Sequence, residues 1–92
     1  MFSLVAIDAT CSRLAGTLDI GAMKEAKPLL ASACATGVRR FDLSGLELID
    51  TAGVQLLHWL KTYHAKDLTL VGAPKVVQRT FALIGLGAMV SS

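Results

Sequence analysis

No apolar stretch in this 92-residue chain approaches the ~20 residues needed to cross a bilayer, because charges or glycines interrupt the hydrophobic segments every few positions. Direct membrane insertion is therefore not expected. Charge of one sign is also lacking: the net charge is +2 with mixed signs, and Arg39-Arg40 and Lys61 are isolated rather than part of a stripe. That is too slight for a nucleic-acid footprint. Cysteine is scarce, and neither Cys11 nor Cys34 belongs to a Cys-x-x-Cys or His-x-x-x-His pattern, so no zinc site, other metal or cofactor is expected. In a reducing compartment both read as small, semi-buried apolar residues. The Gly-x-x-x-x-Gly-Lys-Ser/Thr loop that cradles nucleotide phosphates is missing too. The opening Met1 to Ile7 has no basic start of a signal peptide and runs straight into strand-like sequence, which makes the cytoplasm the default expectation.

Catalysis needs a nucleophile, a base and a group that orients the base. The candidates are Cys11 or Cys34, His58 or His64, and scattered carboxylates. His58 and His64 lie six residues apart on one expected helix and so on different faces. Neither cysteine has a recognisable nucleophile context, and an enzyme is not expected.

What the chain has in quantity is apolar surface. With 53% of its residues hydrophobic, it is expected to form one folded domain over residues 1–92. Phe2 to Ile7 and Cys11 to Leu18 read as two short strands joined by a polar turn at Asp8-Ala9-Thr10, forming a hairpin. Met23, Ala26, Leu30 and Ala33 then share one helical face, with Lys24 and Lys27 on the other and a stop at Gly37. Pro28 falls inside this pattern, so the helix either begins late or bends there. A strand from Val38 to Leu43 follows, then turn chemistry at Ser44-Gly45, a helix from Thr51 to about His64, a strand from Leu68 to Val71, and a helix from Pro74 to about Ile84. Pro74 suits the first turn of that last helix and Gly85 its C-cap. This alternation predicts an α/β fold around a mostly parallel sheet.

The most informative segment is Phe41 to Val54. It reads as a strand delivering Asp50 and Thr51 to a helix start, where side-chain oxygens accept from unpaired backbone N–H groups and negative charge is favoured. On position alone both residues are helix caps. If Val54, Leu57 and Leu60 or Tyr63 face the sheet, then Gln55, His58 and Trp59 sit at or beyond its edge. Trp59 there is either an exposed binding anchor or part of a wide apolar stripe in the core.

Asp50-Thr51-Ala52-Gly53 resembles the Asp-(Ser/Thr)-(Ser/Ala/Gly)-Gly motif of the STAS family, the sulfate-transporter and anti-sigma-factor-antagonist domains. Gly16-Thr17-Leu18-Asp19-Ile20 is similar to that family's Gly-x-Leu-x-Ile step before its first helix. Leu68 to Gly72 and Pro74 to Gly87 resemble its closing strand and Leu-rich last helix, so the resemblance spans nearly the whole chain. It implies a mixed sheet of four or five strands with helices mainly on one face.

Functionally, the resemblance implies an anti-sigma factor antagonist that binds an anti-sigma factor or kinase of the serine-kinase type and is switched by phosphorylation at Thr51. Asp50 would fix the Thr51 hydroxyl, Ala52 and Gly53 would belong to the same docking face, and Ser44 and Gly45 would shape it from the preceding loop. Two other roles share the motif: the STAS subunit of a Mla-type phospholipid-transport ABC complex, which holds an ATPase subunit, and a chemotaxis-type adaptor with Asp-Thr-Ala-Gly-x-Gln-Leu-Leu. Neighbouring genes separate the three.

Overall fold

The structure, a computed structural model, describes residues 1–90. The last two positions of the expected 1–92 domain lie outside the described residues. Four strands, β1 (Ser3–Ala6), β2 (Cys11–Leu18), β3 (Arg40–Ile49) and β4 (Thr69–Val71), alternate with helices α1 (Met23–Ala35), α2 (Thr51–Tyr63) and α3 (Lys75–Leu83). Short 3-10 turns occupy Ile20–Ala22 and Gly87–Met89. The sheet order is β1-β2-β3-β4. The β1-β2 hairpin is antiparallel and the other two pairings are parallel, as a strand-helix-strand crossover requires.

The hairpin turns where its composition predicts. The Asp8 carboxylate accepts from the Thr10 and Cys11 backbone N–H groups at 2.8 and 2.9 Å, and the Thr10 contact holds its pKa below the ordinary carboxylate value. Leu14, Leu18, Phe41, Leu43, Leu46 and Ile49 point from the two central strands into one hydrophobic cluster. Against them lie Ala26, Leu30 and Cys34 of α1, Val54, Leu57 and Leu60 of α2, and Val77 and Phe81 of α3. Burial pushes the Cys34 thiol pKa up, with the nearby Arg39 charge opposing it. The other sheet face carries the in-register row Val5, Arg13 and Asp42, the last two joined by an ion pair of 3.1 Å.

Two details differ from expectation, at Pro74 and in β3, and two alternatives left open by the sequence are resolved. Pro28 lies inside α1, which starts at Met23, so the helix does not begin late, and Pro28 has no N–H to offer the Lys24 carbonyl. Pro74 is the N-cap of α3 rather than its first residue. Gly85 does cap that helix, with φ of +84°: its N–H donates to the Ala82 carbonyl and that of Leu86 to Phe81, the Schellman arrangement.

The largest difference is β3. Ser44 and Gly45 are not a turn, for β3 runs through them to Ile49. The register slips twice, Arg13 and Ala15 facing Asp42 and Gly45, then Gly16 and Thr17 facing Leu46 and Leu48, so β3 carries two extra residues as bulges. Its inward residues are consequently Phe41, Leu43, Leu46 and Ile49. Of Leu60 and Tyr63, it is Leu60 that faces the sheet, for Tyr63 is 74% exposed.

Candidate functional site at the start of the second helix

Where β3 ends, Asp50 remains extended (φ −111°, ψ −176°) and its Oδ1 accepts from the Gly53 N–H at 2.9 Å, capping α2. Its Oδ2 accepts from the Ile20 N–H at 2.9 Å, and its own N–H donates to the Leu18 carbonyl at 3.3 Å. One carboxylate thus ties the start of α2 to the end of β2. Both oxygens are engaged by backbone, and Asp50 does not hold the Thr51 hydroxyl as the resemblance implied.

Thr51 is exposed at the first helical position, and its hydroxyl has no hydrogen-bond partner among the described residues. The N–H groups of Thr51 and Ala52 are also unpaired there, so the positive end of the helix dipole lies beside a free hydroxyl. Beneath them Gly53 is buried. A Cβ at that position would press into the Leu18 carbonyl oxygen and come within 2.7 Å of the Ile49 side chain. Gly53 therefore lets α2 approach β2 and β3, and takes no place on the exposed face.

Ala52, Gln55, Leu56 and Trp59 line one side of a groove of about 360 Å³, with Met23 and Lys27 of α1 on the other. Trp59 is half-buried: Lys27 Nζ lies 4.7 Å from its ring centroid and the His64 ring 4.4 Å. The two readings of Trp59 thereby meet, since it seals the α1-α2 seam while keeping one edge in the groove. His58 is exposed but lies outside this groove. Ser44 and Gly45 do not line the groove; they sit five to six residues upstream of Asp50 within β3.

Sequence reasoning passed over Ile20, which is 73% exposed beside the Asp50 cap. The signal was the repetition of strand-Asp-cap in Leu18-Asp19-Ile20 and Ile49-Asp50-Thr51. Among the described residues, no group of three or more His, Cys, Asp or Glu side chains is placed to hold a metal, and no helix is long and apolar enough to cross a membrane.

A mixed four-stranded sheet with three helices, and an Asp-capped helix presenting a free threonine, define a STAS-type domain. A family model described as "Mlab, STAS domain" matches residues 6–91, and the chain belongs to that family. Its fold is similar to that of the anti-sigma factor antagonist SpoIIAA in its unphosphorylated form, with a TM-score of 0.73 and 20% identity over 99% of this chain and 86% of that one. The Bacillus cell fate determinant SpoIIAA in the phosphorylated form is similar as well, with a TM-score of 0.66 and 18% identity over 99% of this chain and 89% of that one. Among curated proteins none matches the chain.

Proposed function

We propose that this chain is a cytoplasmic, non-enzymatic regulatory protein, a STAS domain over residues 1–92, that docks its Thr51 face onto an anti-sigma factor of the serine-kinase type and is released when Thr51 is phosphorylated. The observation that carries the reading is the free, exposed hydroxyl of Thr51, presented at a helix start whose capping is supplied entirely by Asp50. A phosphate added there adds about two negative charges and three acceptor oxygens without dismantling the helix, because the helix N-terminus tolerates anions. The surface offered to a partner changes while the fold does not. Similarity to SpoIIAA, whose phosphorylated form is itself a solved structure, supports this reading. The test is to identify a serine-kinase-type protein among the neighbouring genes, incubate the chain with it and ATP, and locate phosphate by mass spectrometry. Phosphate on Thr51 is expected, and stable complex formation with no phosphate there refutes the switch.

A second reading is favoured by the description of the matching family model, which bears the name Mlab. In it the same face holds an ATPase subunit of a phospholipid-transport complex, and Thr51 acts as a fixed contact. A gene neighbourhood encoding a permease and an ATPase, together with co-purification of that ATPase, selects it.

A further inference from the structure

We infer that the groove between α1 and α2 seats an amphipathic helix of the partner protein whose apolar stripe is flanked by Asp and Glu side chains. This rests on the Thr51 face being a docking surface and names the chemistry that docks there.

The groove has an apolar floor, made by Met23, Ala52, Leu56 and Trp59, and polar margins at Lys27 and Gln55. Lys27 lies over the Trp59 ring and makes no ion pair among the described residues; the two ion pairs present, Arg13 with Asp42 and Arg39 with Asp67, lie elsewhere. The carboxylate nearest to Lys27 in sequence, Glu25, lines a different cavity with Phe2, Thr17 and Asp19. Among the described residues, then, no carboxylate pairs with the ammonium, whose one charge contact is the Trp59 ring. A helix laid in this groove packs beside Lys27 and displaces part of its water. A neutral or basic occupant would leave the charge desolvated and unpaired, which is costly, whereas a flanking carboxylate pairs with it in a setting where the pairing is strengthened. Charge complementarity thus selects an acidic helix, docked by the helix-in-groove mode.

The same chemistry gives the switch its direction. Ala52 lines the groove and follows Thr51 directly, so phosphate on Thr51 places about two negative charges at that end, where they repel the flanking carboxylates of the occupant.

Trp59 is the single tryptophan, so its emission reports occupancy without labelling. The probes are two synthetic peptides of about 15 residues, long enough for helix formation, sharing one leucine stripe but flanked by glutamates in one and lysines in the other. The glutamate peptide is expected to shift Trp59 emission and bind at least about tenfold more tightly than the lysine peptide near 0.1 M salt. Lys27→Glu, an exposed substitution whose melting curve verifies the fold, should reverse that order, and Thr51→Glu should weaken the glutamate peptide alone. Equal or tighter binding of the lysine peptide, an unchanged order in Lys27→Glu, or no response of Trp59 to either peptide overturns the inference. A reversed order in Lys27→Glu with no phosphate ever found on Thr51 sustains the groove and refutes only the switch; Thr51 phosphorylation without any peptide preference does the opposite.

Discussion

Two strand-to-helix junctions lie side by side in this domain, one opening a 3-10 turn and the other α2, and they present different side chains. Leu18 ends β2 and Ile49 ends β3, the two paired in register, and each is followed by an extended aspartate. Asp19 accepts from the Ala22 N–H at 3.1 Å and Asp50 from the Gly53 N–H at 2.9 Å, three residues on in both cases. The first helical position is Ile20 at one junction and Thr51 at the other, both exposed. Aspartate capping is therefore a shared structural device, and what differs is the residue that follows, an apolar isoleucine at one junction and a hydroxyl-bearing threonine at the other. The junctions are also unequal in rank, because Asp50 holds the Ile20 N–H while Asp19 holds nothing of α2.

The sharpest way to break the comparison is at the glycines. Gly53→Ala forces a methyl against the Leu18 carbonyl and should cost about 3 kcal/mol, whereas a Cβ on Gly21 meets only Asp19 Oδ1 at 3.3 Å and Gly21→Ala should stay within about 0.5 kcal/mol. Urea unfolding of both variants decides it, and equal losses would remove the close-approach argument. Next come the caps. Asp50→Ala loses the Gly53 cap and the Ile20 contact and should cost about 2 to 3 kcal/mol, against about 1 kcal/mol for Asp19→Ala.

Asp42, on the open sheet face away from both junctions, serves as a control. The Ser44 N–H, 2.9 Å from Oδ1, and then Arg13 hold its carboxyl below the ordinary range. A lowered folded pKa stabilises the native state at and above the ordinary carboxylate range and loses that contribution as pH falls through the lowered value. Asp42→Asn should accordingly cost no more than about 1 kcal/mol at neutral pH, and the difference from the parent should vanish in acid. Thermal melts across pH measure this, and a difference that grows in acid contradicts the assignment. Smallest of all in stability are the two first-turn side chains. Ile20→Ala and Thr51→Ala should each stay within about 0.5 kcal/mol, since neither makes a capping bond. Ile20→Ala should nonetheless weaken partner binding, by about 1 to 2 kcal/mol in calorimetry, if it anchors the docking face.

Much of this was legible in the sequence. The boundaries of β2 and the start of α2 follow from hydrophobic periodicity and the Asp cap, and Gly85 marked the end of α3 because its backbone must turn left-handed. The misreading of Ser44-Gly45 has a definite cause. Two bulges stretch the inward spacing of β3 to Phe41, Leu43, Leu46 and Ile49, so the alternation that identifies a strand is broken just where serine and glycine suggest a turn. Gly45, at the first register shift, is a residue type that suits a bulge as well as a turn, so its presence alone does not separate the two. The engagement of both Asp50 oxygens was likewise hidden, since Ile20 is thirty residues distant in sequence and reaches Asp50 only through the parallel register. Lys27 over Trp59 is a contact between two helices that helical periodicity places on faces but not against each other.

In the proposed function Thr51 signals from a junction that does not need it for stability. Calorimetric binding of the parent chain, Thr51→Ala and Thr51→Glu to a serine-kinase-type partner identified among its neighbouring genes tests this most directly, with melting curves recorded on the same samples. Near-identical melting, parent-like affinity for the alanine form and at least roughly tenfold weaker binding of the glutamate form are predicted. Equal affinities for all three forms would contradict the claim and leave Thr51 as one more exposed residue at the head of a helix.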